Sequence, residues 1–134
     1  MNESNSLRPK SSHSAWELAV FRKAYEAALD AHRVALKFPK YEQYDLASQL
    51  RRSSKSICAN LMEGRGRQQG SNAEFKRFVL ISLGSADESA LWRKFARDLG
   101  YLTDDDYDRL EAQFSEIARM LNGLAGNFNL IPDT

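Results

Sequence analysis

The 134-residue sequence has little of what disulfide-stabilised, metal-binding or membrane-spanning proteins are built from. Its single cysteine cannot form an internal disulfide, and two histidines cannot complete a zinc site by themselves. Apolar runs are only a few residues long, and the N-terminal residues lack the apolar core of a secretory signal. We therefore expect a cytoplasmic protein with no metal, no cofactor and no membrane partner.

Proline is equally scarce, and its three residues lie outside the long periodic stretches of the sequence. Those stretches place apolar residues at helical spacing, which predicts an all-α fold, an antiparallel up-down four-helix bundle. We predict a tail over residues 1–13, the bundle over 14–128 and a C-terminal tail over 129–134. The predicted helices cover about residues 14–38, 45–64, 71–99 and 103–128.

Capping residues set these boundaries. Ser14 and Glu17 have the spacing of a capping box at the start of the first helix. Gly64 is expected to end the second helix as a left-handed cap, and Gly100 to follow the third. Thr103 is expected to cap the fourth helix.

The net charge of +1 hides an uneven distribution along the chain. Residues 1–77 carry a charge of +6, since 14 Lys and Arg oppose 8 Asp and Glu, whereas residues 78–134 carry −5. Such a division predicts either two differently solvated faces or a basic patch for an anionic partner. Contact between subunits of opposite local charge is a further interpretation.

The third predicted helix is apolar over most of its circumference, which indicates burial on most sides. A four-helix monomer leaves one face of each helix in water, so we predict that this helix meets a second subunit. Gly84 lies in its middle, where close backbone approach would compensate for poor helix propensity. The predicted interface comprises Val79, Leu80, Leu83, Gly84, Ala86, Leu91 and Trp92.

A polar stripe runs along the second helix, opposite its apolar side. It can hydrogen-bond along itself, across a subunit interface or to a ligand, and a merely solvated face is the simplest alternative. Its members are Gln49, Arg52, Ser56, Asn60 and Glu63.

Basic residues cluster where the second helix leads into the third. They could neutralise backbone phosphates of RNA, although no row of aromatic residues interleaves them for base stacking. Acidic residues 104–111 of a neighbouring subunit are an alternative partner. This predicted basic corner comprises Arg51, Arg52, Lys55, Arg65, Arg67, Lys76 and Arg77.

Catalytic chemistry has little support in the sequence. His32 lies on the apolar side of the first helix, where we interpret it as a satisfied core or interface histidine. Cys58 flanks the apolar stripe of the second helix and is interpreted as a buried thiol. We predict no enzymatic activity and no catalytic residue.

Residues 49–67, QLRRSSKSICANLMEGRGR, resemble the signature of the 23S rRNA-intervening-sequence family, also labelled S23 ribosomal protein. Phe38-Pro39, the EQYDL segment at 42–46 and the LGYL segment at 99–102 fit the same pattern, and the resemblance covers about residues 15–125. It implies a bacterial four-helix bundle that assembles into a ring, expected to be a homopentamer. Related bundles include accessory proteins of diversity-generating retroelements.

Pattern and resemblance together predict a non-enzymatic oligomeric scaffold or adaptor of unknown precise role. RNA or an RNA-processing protein is the expected partner, bound through the basic corner. The alternative is a small-ligand-binding or enzymatic bundle that uses the polar stripe of the second helix.

Overall fold

The computed structural model describes residues 14–127, which form four α-helices and no β-strand. Single 3₁₀ turns at Ala15–Glu17 and Lys40–Glu42 precede the first and second helices. The predicted all-α class is confirmed, while the predicted tails and Phe128 lie outside the described residues. The helices are α1 (Ala19–Ala35), α2 (Leu46–Arg67), α3 (Asn72–Asp98) and α4 (Asp104–Asn127).

The helices pack in the order of the chain. α2 contacts α1 and α3, and α4 contacts α3 and α1. Within residues 14–127 no contact joins α1 to α3, so these two helices lie diagonally across the bundle. Short connections between consecutive helices give the up-down arrangement expected from the sequence.

The core is filled mainly by α2 and α4, whose apolar residues recur every three or four positions and form one stripe per helix. Both stripes are buried as predicted. α1 contributes a thinner stripe rich in alanine, which lets it approach its neighbours closely. The largest apolar core residues of α2 and α4 are Leu50, Ile57, Leu61, Leu110, Phe114, Ile117 and Leu121.

The start of α1 differs from the prediction. Both halves of the Ser14–Glu17 capping box form, but they close a 3₁₀ turn and not the long helix. Leu18 is extended and separates the turn from α1, which ends at Ala35. The break is held by the carbonyl of Trp16, which accepts a hydrogen bond from Arg22 Nη1 at 2.6 Å.

Gly64 is not a left-handed cap, and that prediction is wrong. α2 continues to Arg67, and Gly100, with φ of +83°, is the one residue with positive φ in the described chain. A Cβ placed on Gly64 would lie 2.6 Å from the Cβ of Phe78. The glycine therefore permits close approach of α2 to α3, a contact that the sequence alone could not reveal.

The connection between α3 and α4 follows the prediction. Gly100 adopts the left-handed conformation that follows a helix, and Thr103 Oγ1 accepts a hydrogen bond from the Asp106 backbone N–H at 3.1 Å. Both ends of this turn are therefore set by residues within the turn itself, which is why the sequence predicts them.

Candidate functional site

At the turn between α2 and α3, the arginines of the predicted basic corner bind carboxylates of the same chain. Each ion pair neutralises charge that the sequence analysis assigned to a nucleic-acid partner, although exposed pairs of this kind contribute little stability. The pairs are Arg65–Glu17 at 3.4 Å, Arg67–Glu63 at 2.7 Å and Arg77–Glu74 at 3.3 Å.

Aromatic rings hold the same arginines. Arg67 and Arg77 both lie over the ring of Phe78, at 5.5 and 4.6 Å, and Arg65 lies 5.8 Å from the ring centre of Phe75. Cation–π contacts and ion pairs thus fix these three guanidinium groups in place. The acidic residues of a neighbouring subunit are not needed to balance them.

Lys76 lies beside Arg77 near the start of α3, whereas Arg51, Arg52 and Lys55 lie apart from this turn. Ten residues separate Lys55 from Arg65, which is about 15 Å along a helix. Arg51 donates hydrogen bonds to the side chain and the carbonyl of Gln43, both at 2.9 Å, so it fastens the loop before α2. Arg52 and Lys55 are exposed, and neither forms an ion pair within residues 14–127. The structure does not bring the seven residues together as one patch.

The polar stripe of α2 is largely bonded within the protein. Asn60 Nδ2 donates to the carbonyl and the hydroxyl of Ser56, and Ser85 on α3 donates to the same hydroxyl at 2.9 Å. Glu63 belongs to the ion pair with Arg67. Near the other end of the stripe, a small cavity of about 180 Å³ is lined by Gln49, Arg52, Ser53, Ser56 and Glu88.

The predicted subunit interface on α3 divides between the two sides of that helix. Val79 and Ala86 are buried in the core of their own chain, so they are not available to a second subunit. Leu83 and Trp92 are half-buried, whereas Leu80, Gly84 and Leu91 face solvent. A Cβ on Gly84 would meet nothing within 4 Å, so the close approach expected there does not occur within the chain.

The solvent side of α3 carries more large apolar residues than the sequence analysis assigned to it. Their exposed fractions range from 39% for Ile81 to 55% for Leu99. Leu80, Leu91 and Phe95 are 11 and 4 residues apart, a helical spacing that could have identified them as one face. We call the following residues the outward face of α3: Leu80, Ile81, Leu91, Phe95 and Leu99.

The inward side of α3 buries polar residues next to Phe75 and Val79, and the sequence analysis missed Arg93 among them. Arg93 is 2% exposed, and its guanidinium donates to Glu111 on α4 at 2.8 Å and to Ser89 at 2.7 Å. It also lies 4.3 Å from the ring centre of Phe114. Burial lowers the pKa of Arg93, and the bond to Glu111 acts in the opposite direction. The i, i+4 spacing of Ser89 and Arg93 is the sequence feature that could have indicated a bonded pair here.

His32 differs from its interpretation as a satisfied histidine. Its Nδ1 is buried and has no hydrogen-bond partner in the described part of the chain. Burial, followed by the charges of Lys55, Arg51 and Arg33, lowers its pKa. Burial likewise raises the pKa of the Cys58 thiol to about 11, so this thiol stays protonated at neutral pH and is a poor nucleophile.

Within residues 14–127, no helix is long and apolar enough to cross a membrane. No group of three or more His, Cys, Asp and Glu side chains in this range is arranged to hold a metal ion.

Comparison with known proteins identifies a family and a solved structure of similar fold. Residues 16–123 match the model of the 23S rRNA-intervening sequence protein family. The fold is similar to the crystal structure of a protein of unknown function from the S23 ribosomal protein family of Bacteroides thetaiotaomicron, with a TM-score of 0.70 and 24% identity. The similarity covers 80% of this chain and 98% of that one. No curated protein matches the sequence.

Proposed function

Since the chain belongs to the 23S rRNA-intervening sequence protein family, we propose that it is a non-enzymatic, self-associating scaffold or adaptor. The observation that carries the proposal is the outward face of α3. Five large apolar side chains lie along one side of a single helix and are each 39–55% exposed.

Contiguous apolar surfaces of this kind are uncommon on soluble monomers and mark sites of protein association. Within the outward face, Leu91 and Phe95 are one helical turn apart, and Leu99 follows after one more turn. A second copy that covers these side chains removes apolar area from water, which favours association. From the family resemblance we expect the assembly to be a homopentamer.

The non-enzymatic part of the proposal is supported by the polar stripe of α2. Ser56, Asn60 and Ser85 bond to one another, so they stabilise the contact of α2 with α3 and are not free for a substrate. The adjoining cavity of about 180 Å³ is smaller than the pockets that usually enclose a drug-sized molecule.

Multi-angle light scattering on the unmodified protein tests self-association directly. We expect a mass that is a multiple of 15.2 kDa, and a shift towards the monomer in Leu91→Glu, since a buried carboxylate opposes association. Ala112→Glu on the exposed side of α4 is the matched control and should keep the wild-type mass. A wild-type mass of one chain over a wide concentration range would overturn the proposal.

RNA binding is a second candidate function. It is favoured by Arg52 and Lys55, which are exposed and form no ion pair in the described chain. Several copies in one assembly would repeat these cations and raise the overall affinity.

Binding of the purified protein to a structured RNA hairpin across a salt series tests this candidate. We expect affinity to fall with salt, and the slope of log affinity against log salt to become shallower in Arg52→Glu/Lys55→Glu. Arg77→Glu is the comparison, because Arg77 is already paired with Glu74. Absence of binding at low salt would exclude RNA as a partner of this surface.

A further inference from the structure

A second apolar surface lies on the other side of α2, between α2 and α1. It is a groove of about 360 Å³, and Tyr25 on its edge is 40% exposed. The outward face of α3 of the same chain cannot cover it, because α1 and α3 do not touch. We call this surface the α1–α2 groove; it is lined by Tyr25, Ala28, Leu29, His32, Lys55 and Cys58.

The charges around the α1–α2 groove are positive. Lys55 lines the groove, and the charges of Lys55, Arg51 and Arg33 all lower the pKa of His32. Lys55 and Arg33 are exposed and form no ion pair within residues 14–127, and Arg51 is bonded to the neutral Gln43. The groove therefore combines an apolar floor with cations that have no carboxylate of their own chain.

The outward face of α3 has the opposite character. Asp87 and Glu88 are the only charged residues between Phe78 and Trp92. Both are exposed, and neither forms an ion pair in the described chain. They lie midway along α3, between Leu80 and Phe95, so any partner that covers the apolar residues also meets these carboxylates.

Two copies that pair outward face against outward face would bring these central carboxylates together, and like charges in an interface are unfavourable. The α1–α2 groove offers an apolar surface with the complementary charge. Resting on the proposed self-association, we infer that the outward face of α3 of one copy packs into the α1–α2 groove of the next copy. Asp87 and Glu88 then face Lys55 and Arg33.

This contact is heterologous, because each copy contributes two different surfaces. Every copy that uses both surfaces adds one neighbour on each side, so assembly proceeds to a closed ring or to a filament. A two-fold dimer made by α3 alone would leave the α1–α2 groove open to solvent.

A charge exchange tests the contact. Asp87→Lys/Glu88→Lys changes the outward face, and Lys55→Glu/Arg33→Glu changes the groove. Each double variant should raise the protein concentration needed for assembly roughly a hundredfold, because like charges then face each other across the contact. The quadruple variant, which exchanges the charges on both surfaces, should recover the wild-type mass. All four residues are exposed, so each variant should fold, and circular dichroism checks this.

The outcomes separate this inference from the proposed function. If the groove variant keeps the wild-type mass, or the quadruple variant fails to recover it, the inferred pairing is wrong while self-association stands. If the wild-type protein is monomeric, both fail. If the groove variant loses RNA binding at unchanged mass, the groove cations bind nucleic acid and the inference is overturned.

A disulfide test gives a second, independent measurement. Leu91→Cys adds one thiol to the outward face, while Cys58 supplies the native thiol of the groove. Oxidation at about pH 9, chosen because Cys58 has a raised pKa, should give a ladder of cross-linked chains. The ladder should disappear in Leu91→Cys/Cys58→Ser. A dimer that persists there would show that α3 pairs with itself.

Discussion

α3 and α4 are neighbours of similar length, 27 and 24 residues, that distribute their large apolar residues differently. In α4 these residues point into the core, led by Phe114 and Ile117. In α3 only Phe75 and Val79 do so, the rest of the inward side carries serines, alanines and Arg93, and the outward face carries leucines, Ile81 and Phe95. Apolar content alone therefore does not say which side of a helix its own chain will bury.

The difference follows from how closely α3 packs against α2. Small side chains on the inward side allow the two backbones to approach, and Ser82 Oγ donates to the carbonyl of Ile57 at 3.0 Å. Ser85 bonds to Ser56, and Arg93 bonds to Glu111, so the buried polar groups are satisfied. The apolar residues of the outward face of α3 then remain exposed on their own chain.

The largest expected effect comes from breaking the inward side of α3. Arg93→Ala removes a guanidinium that fills the space between Ser89, Glu111 and Phe114, and leaves the carboxylate without its partner. We expect the free energy of unfolding to fall by about 3 kcal/mol. Urea denaturation at one fixed protein concentration measures it.

The control for this change is Lys94→Ala, which removes an exposed ion pair with Asp98 and should cost less than about 0.5 kcal/mol. Equal losses for the two variants would contradict the structural role assigned to Arg93. Leu91→Glu provides the contrast, since it should change the mass of the assembly and leave the fold intact.

An intermediate effect is expected from adding a methyl group to Gly64, at the α2–α3 contact, or to Gly84, on the exposed side of α3. Gly64→Ala drives a Cβ towards Phe78 and should cost about 1–3 kcal/mol. Gly84→Ala points into open space and should stabilise α3 by up to about 1 kcal/mol.

Both glycine variants are best compared in the Leu91→Glu background, so that unfolding is measured without changes in association. In thermal and urea unfolding, Gly84→Ala should be more stable than the parent protein and Gly64→Ala less stable. A reversed order would mean that the tight contact lies at the outward face and not at the start of α3.

The smallest effect concerns His32 in the α1–α2 groove, the surface inferred to receive the outward face. Burial and the nearby cations lower its pKa in the folded protein, so below about pH 6.5 the unfolded chain binds the proton more readily. Stability should therefore be fully present above that pH and fall as the pH decreases towards the lowered folded value. His32→Gln should flatten this part of the profile of unfolding free energy against pH, and unchanged slopes would contradict the assignment.

Much of the fold was predictable because its signals are local. The stripe from Leu46 to Leu61 repeats every three or four residues, and Thr103 and Gly100 are caps that act within a few residues of themselves. Gly64 was misread because the reason for a glycine there is Phe78, which comes from another helix. The pairing of Arg65 with Glu17 could not be predicted for the same reason, since the two residues lie 48 positions apart.

By itself, the sequence determined the number of helices, the apolar stripes of α2 and α4, and the excess of apolar residues on α3. These depend on periodicity and capping, which operate over a few residues. Only the tertiary structure decided which side of α3 faces the core, which arginines are paired and where two apolar surfaces stay open. Those outcomes depend on contacts between helices, where the space left by small residues, and not hydropathy, selects the buried side.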